Sequence, residues 1–134
     1  MSTDYQSRLQ ERLPAQPDSI APLRRAVVAY AGSNGASDRQ REDIALAVSE
    51  ALSNAVLHAY VGREVAGDVG VDARIDERVL EVVVEDGGGG MTPRTDSPGL
   101  GLGLALIGRL TEEMRIESPD SAAGVRVRMT FAIG

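Results

Sequence analysis

Residues 49–60 read Ser49-Glu50-Ala51-Leu52-Ser53-Asn54-Ala55-Val56-Leu57-His58-Ala59-Tyr60. They continue a run in which Ile44, Ala47, Val48, Ala51, Leu52, Ala55, Val56 and Ala59 recur at helical spacing, which predicts a helix as far as about Tyr60. Ser37 followed by Gln40 fits a capping box and marks where that helix begins. Glu50, Asn54 and His58 stand at i, i+4 and i+8, stacked on nearly one face of it. A solvated stripe is the plain reading of any one of them. Three polar residues in line, within a helix otherwise rich in Ala, Val and Leu, ask for more. A carboxylate one turn from an amide oxygen suits a general base beside a metal ligand. His58 fits a satisfied helix-end histidine better than a ligand.

Upstream, residues 5–13 are expected to form an opening strand, punctuated by Pro14 and Pro17. Asp18 then precedes Ile20, Leu23, Val27, Val28 and Tyr30, a first helix expected to end at Gly32 before the turn residues Ser33-Asn34-Gly35. Downstream the period drops to two. Val69, Val71, Ala73 and Ile75 alternate as in a half-buried strand, Asp76-Glu77 is a short connection, and residues 79–84 form a second strand, giving a hairpin. Residues 91–98 read as a loop, Leu102 to Leu110 as a third helix, and residues 114–117 and 125–133 as closing strands around Pro119-Asp120. This order predicts one α+β domain over residues 1–134: a two-layer sandwich with a mixed sheet covered on one face by helices.

Composition narrows the function. The chain has 134 residues, enough for one real core, and its 43% hydrophobic and 25% charged content is that of a globular protein. Without cysteine there is no disulfide framework and no thiolate metal site, which fits a reducing, cytoplasmic setting. Residues 1–13 are polar, unlike a signal peptide, and no apolar stretch reaches membrane-span length, so no membrane association is expected. A net charge of −6 argues against nucleic acid as a direct partner. All 14 basic residues are Arg, so any cationic contact to phosphate or carboxylate uses a guanidinium fork.

Two glycine-rich runs complete the candidate site. Glu85-Asp86-Gly87-Gly88-Gly89-Gly90 leaves an apolar strand; read as more than a turn, its glycines let a ligand ring approach the backbone while Asp86 accepts a hydrogen bond. Gly99-Leu100-Gly101-Leu102-Gly103-Leu104 opens a helix, where unobstructed N–H groups favour an anion. It is neither a P-loop nor a dinucleotide fingerprint, because the Gly-Lys-Ser/Thr ending and the preceding strand are missing.

In this order, helical Glu-x-x-x-Asn, strand-Asp-x-Gly-x-Gly, loop and Gly-x-Gly-Leu resemble the GHKL ATP-binding fold. The segment from Ser49 to Tyr60, the stretch from Gly101-Leu102-Gly103-Leu104 to Leu110-Thr111-Glu112-Glu113-Met114, and the closing Gly124-Val125-Arg126-Val127-Arg128-Met129-Thr130 resemble anti-sigma-factor serine kinases of the RsbW and SpoIIAB type. The likeness covers roughly residues 18–133. It implies that Asn54 holds Mg²⁺ against the triphosphate of ATP and that Glu50 accepts the proton of an incoming serine hydroxyl. It further implies that Asp86 bonds the adenine amino group, with Gly88 and Gly90 shaping that pocket. Residues 87–100 would form the ATP lid, and Gly101, Leu102 and Gly103 would meet the phosphates. The implied partners are a sigma factor of RNA polymerase and a STAS-domain antagonist that is phosphorylated, with the kinase a homodimer. Two departures stand out. Val125 follows Gly124 where many relatives have Thr, with Thr130 five residues on. The lid also lacks an Arg next to Gly99, Arg94 being the nearest. A non-catalytic ATP-binding anti-sigma module and a switch kinase acting on a STAS scaffold without touching sigma are the alternatives.

Overall fold

The computed structural model describes residues 8–60, 67–86, 100–117 and 125–134, with the backbone alone for 58–60 and 100–104. Strand β1 (Arg8–Pro14) leads through a 3-10 turn (Pro17–Ser19) into α1 (Ile20–Ser33) and α2 (Asp38–Tyr60). Next come β2 (Asp68–Asp76), β3 (Val79–Asp86), α3 (Leu100–Leu110), β4 (Glu113–Glu117) and β5 (Arg126–Ala132).

Both helix boundaries between α1 and α2 are set locally. At the end of α1, Gly35 has φ +103°, and the Ala36 and Gly35 N–H groups donate to the Ala31 and Gly32 carbonyls at 3.0 and 3.3 Å. That is a Schellman cap, which needs a residue tolerant of positive φ where Gly35 stands. The expected capping box then starts α2: the Ser37 N–H donates to Gln40 Oε1 at 2.8 Å, and the Gln40 N–H to Ser37 Oγ at 3.1 Å.

The expected hairpin is present, shifted by one residue. Glu77 and Arg78 form the two-residue turn, with φ 50° and 68°, and Asp76 pairs with Val79. Positive φ at both positions matches a type I′ turn, usually made by Asn-Gly; here two side-chain-bearing residues take it, which hides the turn from a reading by composition.

The strands lie in the order β1-β2-β3-β5-β4. The two-layer α+β class holds, but the mixed sheet does not: every ladder among the described strands is antiparallel. β3 and β4 do run in the same direction, as strands joined by a crossover helix should. β5 returns between them, so each pairs with β5 and no parallel ladder forms, a split βαβ unit.

One face of the sheet is apolar. Val69, Val71, Ala73, Leu80, Val82, Val84, Val127, Met129 and Phe131 are buried there against Leu23 and Val27 of α1, Ile44, Val48 and Leu52 of α2, and Ile107 of α3. The opposite face carries no helix among the described residues and is held by ion pairs. Arg8 Nη2 meets Asp72 Oδ2 at 2.7 Å, and Arg74 Nε meets Glu81 Oε1 at 3.3 Å. Arg128 reaches Glu81 at 3.1 Å and Glu117 at 3.3 Å. Hydrogen bonds from Arg8, Arg12 and Arg128 hold the carboxyls of Asp72, Asp68 and Glu117, respectively, below the ordinary range.

The turn and the ionic face each give a test. Arg78→Gly removes the positive-φ cost of a side chain but adds freedom to the unfolded chain. The net is expected to be a gain of about 0.5–1 kcal/mol, seen as a higher urea midpoint; a fall would contradict the turn geometry. For the carboxylates the sign follows from the depressed folded-state values: the stability they confer is complete above the unfolded pKa near 4 and is lost as pH falls through the folded value. The urea midpoint should therefore hold from about pH 7 to about pH 5 and drop below about pH 4. The drop should be shallower in about 1 M NaCl, where the Debye length is about 3 Å.

Candidate functional site

The site is built from the rim of α2, the end of β3 and the start of α3, and the fold brings these together because α2 packs on both β3 and α3. Along α2, Ala47, Ala51 and Ala55 are buried. Glu50 and Asn54 each stand beside one of these alanines in sequence, hence about 100° further round the helix. Both come to lie at the boundary between core and solvent, half-buried, one turn apart. An N–H of the Arg24 guanidinium on α1 donates to Ser49 Oγ at 3.5 Å, tying the helix to α1 next to Glu50.

The Asn54 amide nitrogen is buried and has no hydrogen-bond partner among the described residues. A buried donor left unsatisfied costs roughly 1–3 kcal/mol, so a side chain placed this way is one that awaits a partner. Amide nitrogen and oxygen can be exchanged by a flip, so the observation concerns the carboxamide as a whole.

Asp86 ends β3 on the helix-covered face, in line with Leu80, Val82 and Val84, and is 6% exposed, the one buried ionisable residue among those described. An apolar side chain would fit the alternation better, and a buried carboxylate requires compensation. Its backbone N–H donates to the Val125 carbonyl at 3.2 Å. Residue 125 therefore flanks Asp86 through its backbone, a contact that the sequence reading, concerned with the missing hydroxyl, did not contain. Thr130 cannot supply that hydroxyl: it lies on the open face of the sheet, its Oγ1 donating to the Glu113 carbonyl at 3.5 Å.

Gly101, Leu102 and Gly103 fall in the first turn of α3, which starts at Leu100, one residue inside the expected lid. Gly88, Gly90, Arg94 and the rest of the lid from 87 to 99 lie outside the described residues, as does the side chain of His58. The elements that carry the expected parts pack together: α2, with Glu50 and Asn54, lies against both β3, which ends at Asp86, and α3, which begins with the glycines. Among the described residues no cluster of three or more His, Cys, Asp or Glu could hold a metal ion. No described helix is long and apolar enough to cross a membrane.

Comparison with known proteins agrees with this arrangement. The family model of the histidine kinase-like ATPase domain matches residues 13–131. Among solved structures, the chain is similar to the RsbU and RsbW domains of Rv1364c from Mycobacterium tuberculosis, at 24% identity and a TM-score of 0.72. That match covers 94% of this chain and 32% of the other, so this chain spans about a third of that protein's length. It is also similar to a chain of the SiaB-SiaC complex from Pseudomonas aeruginosa, at 18% identity and a TM-score of 0.68, covering 95% and 92% of the two chains. No curated protein matches. At such identities the structural likeness speaks for the fold, and the family model speaks for the sequence over nearly its whole length. By that family model the chain belongs to the histidine kinase-like ATPase domain family.

Proposed function

We propose that the chain is an ATP-dependent serine protein kinase and anti-sigma factor of the RsbW type, phosphorylating a serine of a STAS-domain antagonist and binding a sigma factor. The observation that carries this reading is Glu50, half-buried one turn from Asn54 on the helix rim beside the nucleotide site. A module that only bound nucleotide would have no use for a carboxylate there. The similarity to the RsbW domain of Rv1364c and to a chain of the SiaB-SiaC complex supports a regulatory, protein-directed activity.

In this reading Asp86 accepts a hydrogen bond from the adenine amino group, between the strand end and the glycines Gly88 and Gly90. The N–H groups of Gly101, Leu102 and Gly103 face the phosphates. Asn54 is the side chain that would hold Mg²⁺, through its carboxamide oxygen. Mg²⁺ usually keeps several waters and takes phosphate oxygens, so one protein ligand is enough. When bound, the ion neutralises triphosphate charge. The serine hydroxyl oxygen attacks the γ-phosphorus, its proton passes to the Glu50 carboxylate, the bond to the β-phosphate oxygen breaks, and ADP leaves. Positioning and charge neutralisation dominate such transfers, so a site with few side chains is chemically sufficient. The working form is a cytoplasmic homodimer.

Labelled ATP and a cognate STAS-domain protein test the assignment. Glu50→Gln should leave ATP affinity within about threefold while lowering phosphoryl transfer by about 10²–10⁴, the usual contribution of a general base. A folded sample that binds ATP but transfers no label, or a Glu50→Gln variant that transfers normally, would sink the kinase reading in favour of a non-catalytic module. Asn54→Leu separates function from stability. It should raise the melting temperature of the ligand-free protein, by the equivalent of about 1 kcal/mol, and abolish the further rise produced by ATP and Mg²⁺. A variant that melts lower and still responds to ATP would show that Asn54 is structural.

A further inference from the structure

Among the rows that cross the open face of the sheet from edge to edge is Arg12, Gly70, Glu85, Arg126 and Glu117, successive cross-strand neighbours on β1, β2, β3, β5 and β4. It lies one residue before Asp86. Glu85 is at its centre, and each of its carboxylate oxygens has its own guanidinium: Arg12 Nη1 lies 3.3 Å from Oε1, and Arg126 Nε 3.1 Å from Oε2. Arg126 extends to Glu117 at 3.8 Å, and Arg12 is held from behind by Asp68 at 3.1 Å.

The Arg12 link depends on the residue between. Gly70 stands directly opposite both Arg12 and Glu85, and a Cβ there would come within 2.9 Å of Arg12 Nη1 and 3.0 Å of its Cγ. The missing side chain is what lets Arg12 cross β2 and reach β3. The link spans β1 to β3 one residue before Asp86, where the ladder between β2 and β3 ends. On the β5 side a 3.2 Å bond from the Asp86 N–H to the Val125 carbonyl ties that end down, and on the β2 side Asp86 pairs with Val69.

We infer that Glu85, gripped by Arg12 across Gly70 and by Arg126, is a positioning residue that fixes Asp86 and thereby the adenine end of the nucleotide site. The inference rests on the reading of Asp86 as the adenine contact. Glu85 touches no ligand: its side chain points to the face opposite Asp86, and it acts through the strand. Partly exposed ion pairs each confer modest stability; this row differs from its neighbours in standing beside Asp86.

Glu81 supplies the control. It too is held by two arginines, Arg74 and Arg128, at 3.3 and 3.1 Å, and it lies on the same strand and face but four residues earlier. Glu85→Gln should weaken ATP binding roughly three- to tenfold, the scale of effects relayed through a neighbour, reduce the preference for ATP over GTP, and speed hydrogen exchange at the Asp86 amide. Gly70→Ala, which leaves every charge in place, should move all three readouts the same way. Glu81→Gln should move none of them. Equal behaviour of the Glu85 and Glu81 variants would overturn the inference, leaving ATP binding by the wild type and the site reading intact. A wild-type protein that bound no ATP would overturn both.

Discussion

The packing of α2 across β3 is the contact on which the rest of the structure depends. Val82 and Val84 of the strand and Val48 and Leu52 of the helix have no exposed surface left, or almost none. Ala47, Ala51 and Ala55 add small side chains where a larger one would hold the two elements apart. That close seat fixes the rotation of α2 about its axis. Once the alanines face inward, helical geometry leaves no freedom for their sequence neighbours: Glu50 and Asn54 must lie on the rim. The core and the site are therefore set by one contact. A change of volume in the alanine row would displace Glu50 and Asn54 as well as loosen the core.

The sheet is stabilised differently on its two faces. The covered face uses apolar area, and the open face uses alternating columns of arginine and carboxylate. Arg12, Arg126 and Arg128 each contact two carboxylates. A guanidinium with five N–H donors in a planar fork can do this, and a lysine ammonium offers no such fork. The all-arginine composition, whatever its origin, has a structural use here. Pairs run without a break from Asp68 through Arg12, Glu85, Arg126, Glu117, Arg128 and Glu81 to Arg74. A face whose charges are already matched within itself exerts little net field.

How much of this was legible in the sequence depends on how local each signal is. The capping box at Ser37 and Gln40 and the alternation through Val69, Val71 and Ala73 involve residues a few positions apart, and both appear where expected; α1 runs one residue past the expected Gly32, to Ser33, and its cap glycine is Gly35. The direction of the ladders was not legible. The return of β5 between β3 and β4 is a fact about chain order across the whole sheet, which no window of residues encodes. The hairpin was misplaced by one residue because Glu77 and Arg78 adopt positive φ without the Asn or Gly that announces it. The row through Arg12, Gly70 and Glu85 was invisible for a related reason: its members are 58 and 15 positions apart in the numbering, and only register makes them neighbours.

The candidate site was legible through the places where the sequence breaks its own local rules. At position 86 the inward alternation of β3 calls for an apolar residue, and Asp86 stands there. At position 54 the amide nitrogen is removed from water without a described partner, although a leucine would fill much the same space. Neither residue is needed to form the sheet or the helix. Such departures are expected where function and not folding selects the residue. They fall on α2 and β3, elements with unrelated local structure. Two such departures on elements that pack together argue for a ligand more strongly than either motif alone.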